Sequence, residues 1–91
     1  MSARGRYGRT MAVDDNIEDT LDTCGLLCPL PVLKARKRLQ SLPHGAAMRV
    51  LADDPAARID IPHFCTEQGH KLLHQTDLPD GVLEFVIRKS G

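Results

Sequence analysis

The spacing of apolar residues divides the chain into a polar tail and a series of alternating strands and helices. The opening stretch, MSARGRYGRTMAVDDNIEDT, follows neither a helical nor a strand period, so residues 1–19 are predicted to form a disordered tail. The next segment, TLDTC, alternates between apolar and polar positions and predicts a short strand that ends before Gly25. We expect one folded domain over residues 20–91.

The first helix is predicted directly after the segment CPLP. Its apolar stripe recurs at helical intervals and consists of Val32, Ala35, Leu39 and Leu42. Proline is tolerated in the first turn of a helix, where its missing amide hydrogen would have had no partner. Pro29 is therefore placed at the first helical position and Pro31 within the first turn. The segment PHG at Pro43–Gly45 ends this helix.

The remaining pattern predicts a strand, a second helix and a hairpin. AMRVLAD has the composition of a strand, and the helix that follows lies within Pro55–Gly69 with Gly69 as its C-terminal cap. Pro62 either begins this helix or kinks it. HKLLHQT and VLEFVIRK flank the turn-forming DLPDG and predict an antiparallel hairpin. The order β-α-β-α-β-β indicates an α/β two-layer sandwich, a four-stranded mixed sheet with both helices on one face.

Composition and charge exclude several classes of protein. The chain has 91 residues, of which 42% are hydrophobic and only 3% are aromatic. Its single core must therefore be aliphatic. Twelve basic residues balance twelve acidic ones, which argues against direct binding of nucleic acid or of a membrane surface. No apolar run approaches the length of about 20 residues that spans a bilayer. Charged residues near the N-terminus interrupt the apolar core that a signal peptide would need. We expect a cytosolic monomer whose thiols stay reduced.

Cys28 is the principal candidate for chemistry. It lies where the predicted strand-to-helix loop meets the first helix, whose unpaired amide hydrogens and dipole favour an anion. A thiolate at this place is expected to have a pKa well below the usual value of about 8.5. Pro29 and Pro31 would stiffen the loop and hold the sulfur exposed. The alternative, a buried cysteine that packs as a small hydrophobic residue, fits poorly between two prolines.

The residues around Cys28 resemble the signature of the TusA family of sulfur-carrier proteins. LDTCGLLCPLPVLKARKRL contains Leu-Asp, Gly-Leu and the Cys-Pro-x-Pro that opens the first helix in that family. The similarity continues through LADDPAARIDIPHFCTEQGHKLL and FVIRKSG, so it covers residues 21–91. Cys-Pro-x-Pro alone is a weak pattern, but together with DDPA, DIP and FC at the family's distances it is specific.

This resemblance implies a sulfur carrier. Cys28 would accept sulfane sulfur from a cysteine desulfurase as a persulfide and pass it to a cysteine of an acceptor protein, ultimately for 2-thiolation of wobble uridine in tRNA. Related branches of the family supply molybdenum-cofactor maturation or sulfur oxidation, so these destinations stay open. Attack of a thiolate on a persulfide requires no bound metal or organic cofactor. The covalent persulfide intermediate would be that of a sulfurtransferase. Because catalytic turnover would require the donor and the acceptor as well, whether the chain is an enzyme is left open.

Other residues are expected to support the thiol. Asp22 and Gly25 would shape the approach to the loop, and Pro29 and Pro31 would fix it. The basic residues on the outer side of the first helix are Lys34, Lys37 and Arg38. They are candidates for binding an acidic surface of the donor or acceptor, the alternative being an ordinary solvated helix face.

The loop departs from the family pattern at three positions. Leu30 stands where the family often has an acidic residue, and Leu27 where it commonly has a basic one. Cys24 adds a second thiol at Cys-x₃-Cys spacing, which is either a resolving thiol that forms a disulfide with Cys28 or the inward-facing end of the first strand. A redox protein that uses a Cys24–Cys28 disulfide and a non-catalytic interaction module are therefore alternative functions.

The remaining cysteine and three of the histidines are expected to be structural. Cys65 belongs to the apolar stripe of the second helix, which consists of Ile61, Phe64, Cys65 and Gln68. A zinc site built from His63, Cys65, His70 and His74 is not expected, because the predicted helix end at Gly69 separates them and their spacing fits no compact ligand set. No metal is predicted.

Overall fold

The helices and strands follow one another in the predicted order. A computed structural model of the chain describes residues 17–90. Its elements are β1 (Ile17–Asp22), α1 (Leu30–Gln40), β2 (Ala47–Ala52), α2 (Ala57–Gln68), β3 (Lys71–Asp77) and β4 (Leu83–Arg88), with a short 3₁₀ turn at Pro79–Gly81. The α/β sandwich predicted from the apolar pattern is confirmed.

The four strands form one mixed sheet in the order β1-β2-β4-β3. β1 is parallel to β2, and the antiparallel pairs are β2 with β4 and β3 with β4. A parallel pair needs a crossover connection, which α1 supplies, whereas the short turn suffices for the β3–β4 hairpin. Because β1 and β2 run in the same direction, the loops that follow them leave the sheet side by side. This neighbourhood decides where the candidate site lies.

The core lies between the sheet and the two helices. The two central strands place alternate residues in it, namely Met48, Val50, Ala52, Leu83, Phe85 and Ile87. The helices add Ala35, Leu39, Ala57, Ile61, Phe64 and Cys65, and Val32 and Leu42 pack at the margin. The predicted apolar stripes therefore face the sheet. Gln68 is the exception, because it is exposed at the last position of α2.

Several element boundaries differ from those predicted. β1 begins at Ile17, so residues 17–19 belong to the strand rather than to the tail, and the Glu18 carboxylate accepts the N–H of Ala47 in β2 at 2.9 Å. The prediction of disorder for residues 1–16 lies outside the described residues. Pro29 is the N-cap of α1 rather than its first residue. Pro62 lies inside α2 and does not begin it.

The opposite face of the sheet contains a buried carboxylate that the apolar pattern did not indicate. Glu84 of β4 is 2% exposed, although its strand position faces away from the helices. Its oxygens lie 2.8 Å from Nε of Arg49 in β2 and 3.4 Å from Nε2 of His74 in β3. A buried carboxylate requires such partners, and the side chains of Arg49 and His74 supply them. No helix covers this face in the described residues.

Candidate functional site

The thiol of Cys28 is exposed in the loop between β1 and α1. Cys28 precedes the N-cap Pro29, and the peptide bond between them is cis. The N–H of Leu30 donates to the carbonyl of Leu27 at 2.8 Å, and the N–H of Leu33 donates to the carbonyl of Pro29 at 3.1 Å. These bonds join the loop to the first turn of α1, so the sulfur lies just outside the helix.

Two aspartates of the neighbouring β2–α2 loop hold the backbone of the thiol loop. Asp53 Oδ1 accepts the N–H of Gly25 at 2.9 Å, and Asp54 Oδ2 accepts the N–H of Cys28 at 2.7 Å. The other oxygen of Asp54 accepts the N–H of Ala56 at 3.0 Å. These hydrogen bonds lower the pKa of Asp54, the one from Cys28 most strongly and the one from Ala56 next. The two loops therefore form one hydrogen-bonded unit.

The sulfur itself contacts a third aspartate. Cys28 Sγ donates a hydrogen bond to Oδ2 of Asp60, in the first turn of α2, at 2.8 Å. The pKa of Cys28 is raised, first by this hydrogen bond, then by partial desolvation and by the negative charges of Asp60 and Asp54. The expected lowering of this pKa by the helix terminus is therefore wrong. A carboxylate at hydrogen-bonding distance favours the protonated thiol and so opposes the effect expected from the helix end.

Cys24 is also exposed, so its interpretation as the inward-facing end of the first strand is wrong. Thr23 occupies the inward position instead, with none of its surface exposed, and its hydroxyl donates to the carbonyl of Leu51 at 2.7 Å. The pKa of Cys24 is raised to about 11 by loss of hydration, then by a hydrogen bond with Asp22 and by the charges of Asp22 and Asp53. Cys24 and Cys28 are both free thiols.

The predicted loop-shaping residues lie around these two cysteines. Asp22 Oδ1 accepts the N–H of Cys24 at 3.0 Å. Gly25 has a φ of +92°, and a Cβ there would meet nothing within 4 Å, so the backbone conformation rather than lack of space favours glycine. Pro29 caps α1, and Pro31 is buried in its first turn.

The basic residues of α1 do not form one set. Lys34 and Lys37 are exposed, whereas Arg38 is half-buried and its Nη1 lies 2.7 Å from Oδ2 of Asp19 in β1. This ion pair ties α1 to the edge strand, so Arg38 has a partner within the chain. Lys34 and Lys37 are the members of the predicted partner-binding set that extend into solvent.

Four large apolar side chains are exposed in the thiol loop, in the first turn of α1 and beside Asp60, and we call them the apolar rim. Its members and their exposed fractions are Leu27 (69%), Leu30 (44%), Leu33 (49%) and Ile59 (74%). Three belong to the thiol loop and the first turn of α1, and Ile59 precedes the aspartate that contacts Cys28 Sγ. Exposed apolar residues that cluster in this way are typical of surfaces that bind another protein. Leu27 and Leu30 were already visible in the sequence as departures from the family pattern.

The third cysteine lies away from this site. Cys65 is 2% exposed in the core, where burial raises its pKa to about 11. The residues considered for zinc have other neighbours: His63 contacts Glu67 at 3.3 Å, and His74 contacts Glu84. Within residues 17–90, no three His, Cys, Asp or Glu side chains are grouped so that they could hold a metal ion. Neither helix in this range is long and apolar enough to cross a membrane.

Three residues of the site were missed as functional candidates: Asp53, Asp54 and Asp60. In the sequence, DDPA and DIP indicate only a family resemblance. A positional signal was nevertheless present, because Asp53 and Asp54 come directly after a strand that pairs in parallel with the one before the thiol loop. Loops at the same edge of adjacent parallel strands meet, so carboxylates of the β2–α2 loop can accept backbone amides of the thiol loop.

The fold and the site together define a small α/β sandwich that presents a cysteine at the start of its first helix. The family model for the sulfurtransferase TusA matches residues 19–89. A putative sulfur carrier protein of Archaeoglobus fulgidus is 44% identical over 68 residues, which cover 75% of this chain and 88% of the relative. The sulfur carrier protein TusA of Pseudomonas entomophila is 42% identical over 77 residues, 84% and 96% of the two chains.

A solved structure agrees with these sequence relatives. The crystal structure of a SirA-like protein from Desulfitobacterium hafniense superimposes with a TM-score of 0.72 at 28% identity and covers 80% of this chain and 99% of that one. The family match covers well over half of the residues. The chain therefore belongs to the TusA family of sulfur carriers.

Proposed function

We propose that the chain carries sulfane sulfur as a persulfide on Cys28. The observation that carries this proposal is an exposed thiol, fixed by two loops, in a chain that matches the TusA family over residues 19–89. A carrier needs a sulfur that a second protein can reach, and Cys28 is exposed at the start of α1. Cys65 cannot serve in this way because the core covers it.

The proposed reaction is an exchange between a persulfide and a thiol. The Cys28 sulfur attacks the outer sulfur of the donor's persulfide, a new S–S bond forms at Cys28, and the donor's S–S bond breaks. The donor cysteine leaves as a thiolate and takes up the proton that Cys28 gives away, so atoms and charge balance. An acceptor cysteine then removes the sulfur by the same exchange. No oxidant is consumed, because the sulfane sulfur keeps its oxidation state.

The donor is proposed to be a cysteine desulfurase and the destination 2-thiolation of wobble uridine in tRNA. Both proposals rest on the resemblance carried by Cys-Pro-x-Pro, DDPA and DIP, and the two sequence relatives are named as sulfur carriers. The relay is placed in the cytosol, where free thiols stay reduced.

Partners are proposed to bind over the apolar rim, with Lys34 and Lys37 at its side. Leu27 and Leu30 lie within two positions of Cys28 and Ile59 is next to Asp60 in the chain, so we expect a partner that reaches the sulfur to contact the rim. Burial of this apolar surface would supply affinity, and the two lysines would favour an acidic border on the partner. Arg38 is left out of this surface because of its ion pair with Asp19.

The redox alternative would use the exposed free thiols of Cys24 and Cys28. The pKa of each thiol is raised, which slows thiolate attack in a disulfide exchange and in a persulfide exchange alike, so it does not separate the two functions. The carrier function is preferred because the family model for a sulfurtransferase matches residues 19–89.

The proposal is tested by incubating the protein with a cysteine desulfurase, its pyridoxal phosphate and cysteine, followed by intact-mass analysis. We expect an adduct of one sulfur atom that reductant removes. Cys28→Ser abolishes the adduct, whereas Cys24→Ser and Cys65→Ser retain it. An adduct that persists in Cys28→Ser contradicts the proposal. A reversible Cys24–Cys28 disulfide under mild oxidant, with no sulfur adduct, establishes the redox function instead.

A further inference from the structure

The hydrogen bond between Cys28 and Asp60 distinguishes the empty carrier from the loaded one. Cys28 Sγ donates to Asp60 Oδ2 at 2.8 Å, and this bond exists only while the sulfur carries a proton. Once a second sulfur is attached, Sγ has no proton to donate. The contact therefore stabilises one state of the carrier and not the other.

We propose that Asp60 is a positioning residue that stabilises the empty, protonated form of Cys28 and thereby drives release of the carried sulfur. This inference rests on the proposed persulfide function. It adds that the site favours the empty thiol over the loaded persulfide.

Asp60 is placed firmly enough to have this effect. It lies in the first turn of α2, where its N–H donates to the carbonyl of Ala56 at 2.9 Å. The next residue, Ile61, has none of its surface exposed and anchors this turn in the core. The half-buried Asp60 carboxylate thus reaches the sulfur from a rigid element, and the thiol loop is fixed separately by Asp54. The hydrogen bond between Cys28 and Asp60 is therefore held from both sides, by α2 and by the fixed thiol loop.

The charged groups around the sulfur act in one direction. From the β2–α2 loop Asp54 faces it, with both oxygens engaged by backbone amides, and from α2 Asp60 contacts it directly. Asp22 at the end of β1 accepts the amide of Cys24, and Asp53 of the β2–α2 loop accepts the amide of Gly25. Lys34 of α1 is exposed one turn further along the helix. Carboxylates therefore surround the thiol loop, and an ionised persulfide there is repelled by like charge.

The release step balances with Asp60 in this role. The acceptor's thiolate attacks the outer sulfur of the Cys28 persulfide, an S–S bond forms on the acceptor, and the S–S bond at Cys28 breaks. Cys28 leaves as a thiolate, takes up the proton that the acceptor thiol has lost, and donates it again in the hydrogen bond to Asp60. The carboxylate thus favours the product side of release and the reactant side of loading.

Asp60→Asn tests this role because it keeps the shape of the side chain and removes the charge. The matched control is Glu67→Gln, the same change at an exposed position of α2. The Cys28 persulfide is formed with inorganic polysulfide in a Cys24→Ser background and equilibrated with glutathione. The loaded fraction is then read by intact mass, and alkylation of Cys28 by iodoacetamide is followed as a function of pH. Thermal unfolding checks that each variant is folded.

We expect Asp60→Asn to raise the ratio of loaded to empty carrier about three- to tenfold. Alkylation at neutral pH should rise about threefold, since the gain in thiolate is partly offset by its lower nucleophilicity. Asp60→Glu, which restores a carboxylate, should return both values toward wild type. A loaded ratio in Asp60→Asn equal to that of Glu67→Gln would overturn the inference. Failure of the proposed function looks different: the cysteine desulfurase then adds no sulfur to the wild type, although polysulfide still loads Cys28 chemically.

Discussion

The loop that holds Cys28 and the core segment that holds Cys65 protect a thiol in two different ways. Burial raises the pKa of Cys65 to about 11 and also closes it to any partner. At Cys28 the pKa is raised chiefly by the hydrogen bond to Asp60, while the sulfur stays exposed. A carboxylate thus lowers reactivity toward chance reagents without lowering access. For a carrier this combination is useful, because a docked partner can still reach the sulfur.

The two regions also differ in what determines their structure. Around Cys65, side chains are held by apolar packing between α2 and the sheet. Around Cys28, the chain is held by aspartate side chains that accept backbone amides. Packing tolerates few changes of volume or polarity, whereas a hydrogen-bonded loop depends on charge. Substitutions in the two regions separate these two kinds of dependence.

The largest effect is expected when serine replaces each cysteine in turn. Cys28→Ser should lose all sulfur loading and keep the wild-type free energy of unfolding, because its side chain is exposed. Cys65→Ser should keep loading and lose about 1–2 kcal/mol of stability, since a hydroxyl replaces an apolar sulfur in the core. Urea denaturation and intact mass measure both properties. Cys65→Ala is the control that separates volume from polarity. Equal loss of stability in Cys28→Ser and Cys65→Ser would refute the contrast.

A smaller effect is expected at Asp54, and it should depend on pH. The folded-state pKa of this carboxylate is lowered by the amides of Cys28 and Ala56, so its contribution is present above the unfolded pKa of about 3.9 and disappears as pH falls through the folded value. Asp54→Asn should therefore unfold a few degrees lower than wild type at neutral pH, and the difference should shrink in acid.

The control for Asp54 is Asp80→Asn in the β3–β4 turn. Asp80 has a φ of +66°, a conformation that asparagine also tolerates, so the same loss of charge there should leave stability nearly unchanged. A pH-independent difference between wild type and Asp54→Asn would exclude the charge of the carboxylate as the cause.

The smallest effect is expected at the lysines beside the apolar rim. The double variant Lys34→Glu, Lys37→Glu should slow sulfur uptake from a cysteine desulfurase about three- to tenfold at low salt, and the difference should vanish at high salt. Uptake from inorganic polysulfide should stay unchanged. Lys71→Glu is the control, because its register with Arg88 and Ala47 places it at the opposite end of the sheet. An equal effect of Lys71→Glu would show that net charge, rather than docking, is responsible.

The order of elements and the residues that face the core were predictable from the sequence. Their periodicities are local: Val50 alternates with the partly exposed Arg49 and Leu51 along β2, and Ala35 and Leu39 repeat at helical spacing. Gly69 as the cap of α2 was equally predictable, because its αL conformation is the common end of a helix. The prominence of Cys28 also followed from its local setting between a glycine and two prolines.

The properties of the site were less predictable, because they depend on residues distant in the chain. The carboxylate that contacts Cys28 comes from α2, 32 positions away, and no local rule connects Asp60 to a helix that begins at Leu30. The ion pair between Arg38 and Asp19 likewise required the position of the edge strand. Local reasoning therefore selects Cys28 as the candidate residue and misjudges the direction of its pKa shift.

The central claim is that Cys28, rather than Cys24, which is also exposed, carries the sulfur. Both lie in the tryptic peptide of residues 10–34, and Cys65 lies in that of residues 59–71. The most direct measurement is fragmentation mass spectrometry of these peptides after the wild-type protein is loaded by a cysteine desulfurase and its persulfide is capped by alkylation. We predict the additional sulfur on Cys28 alone. Sulfur found on Cys24 or Cys65, with Cys28 unmodified, would contradict the account.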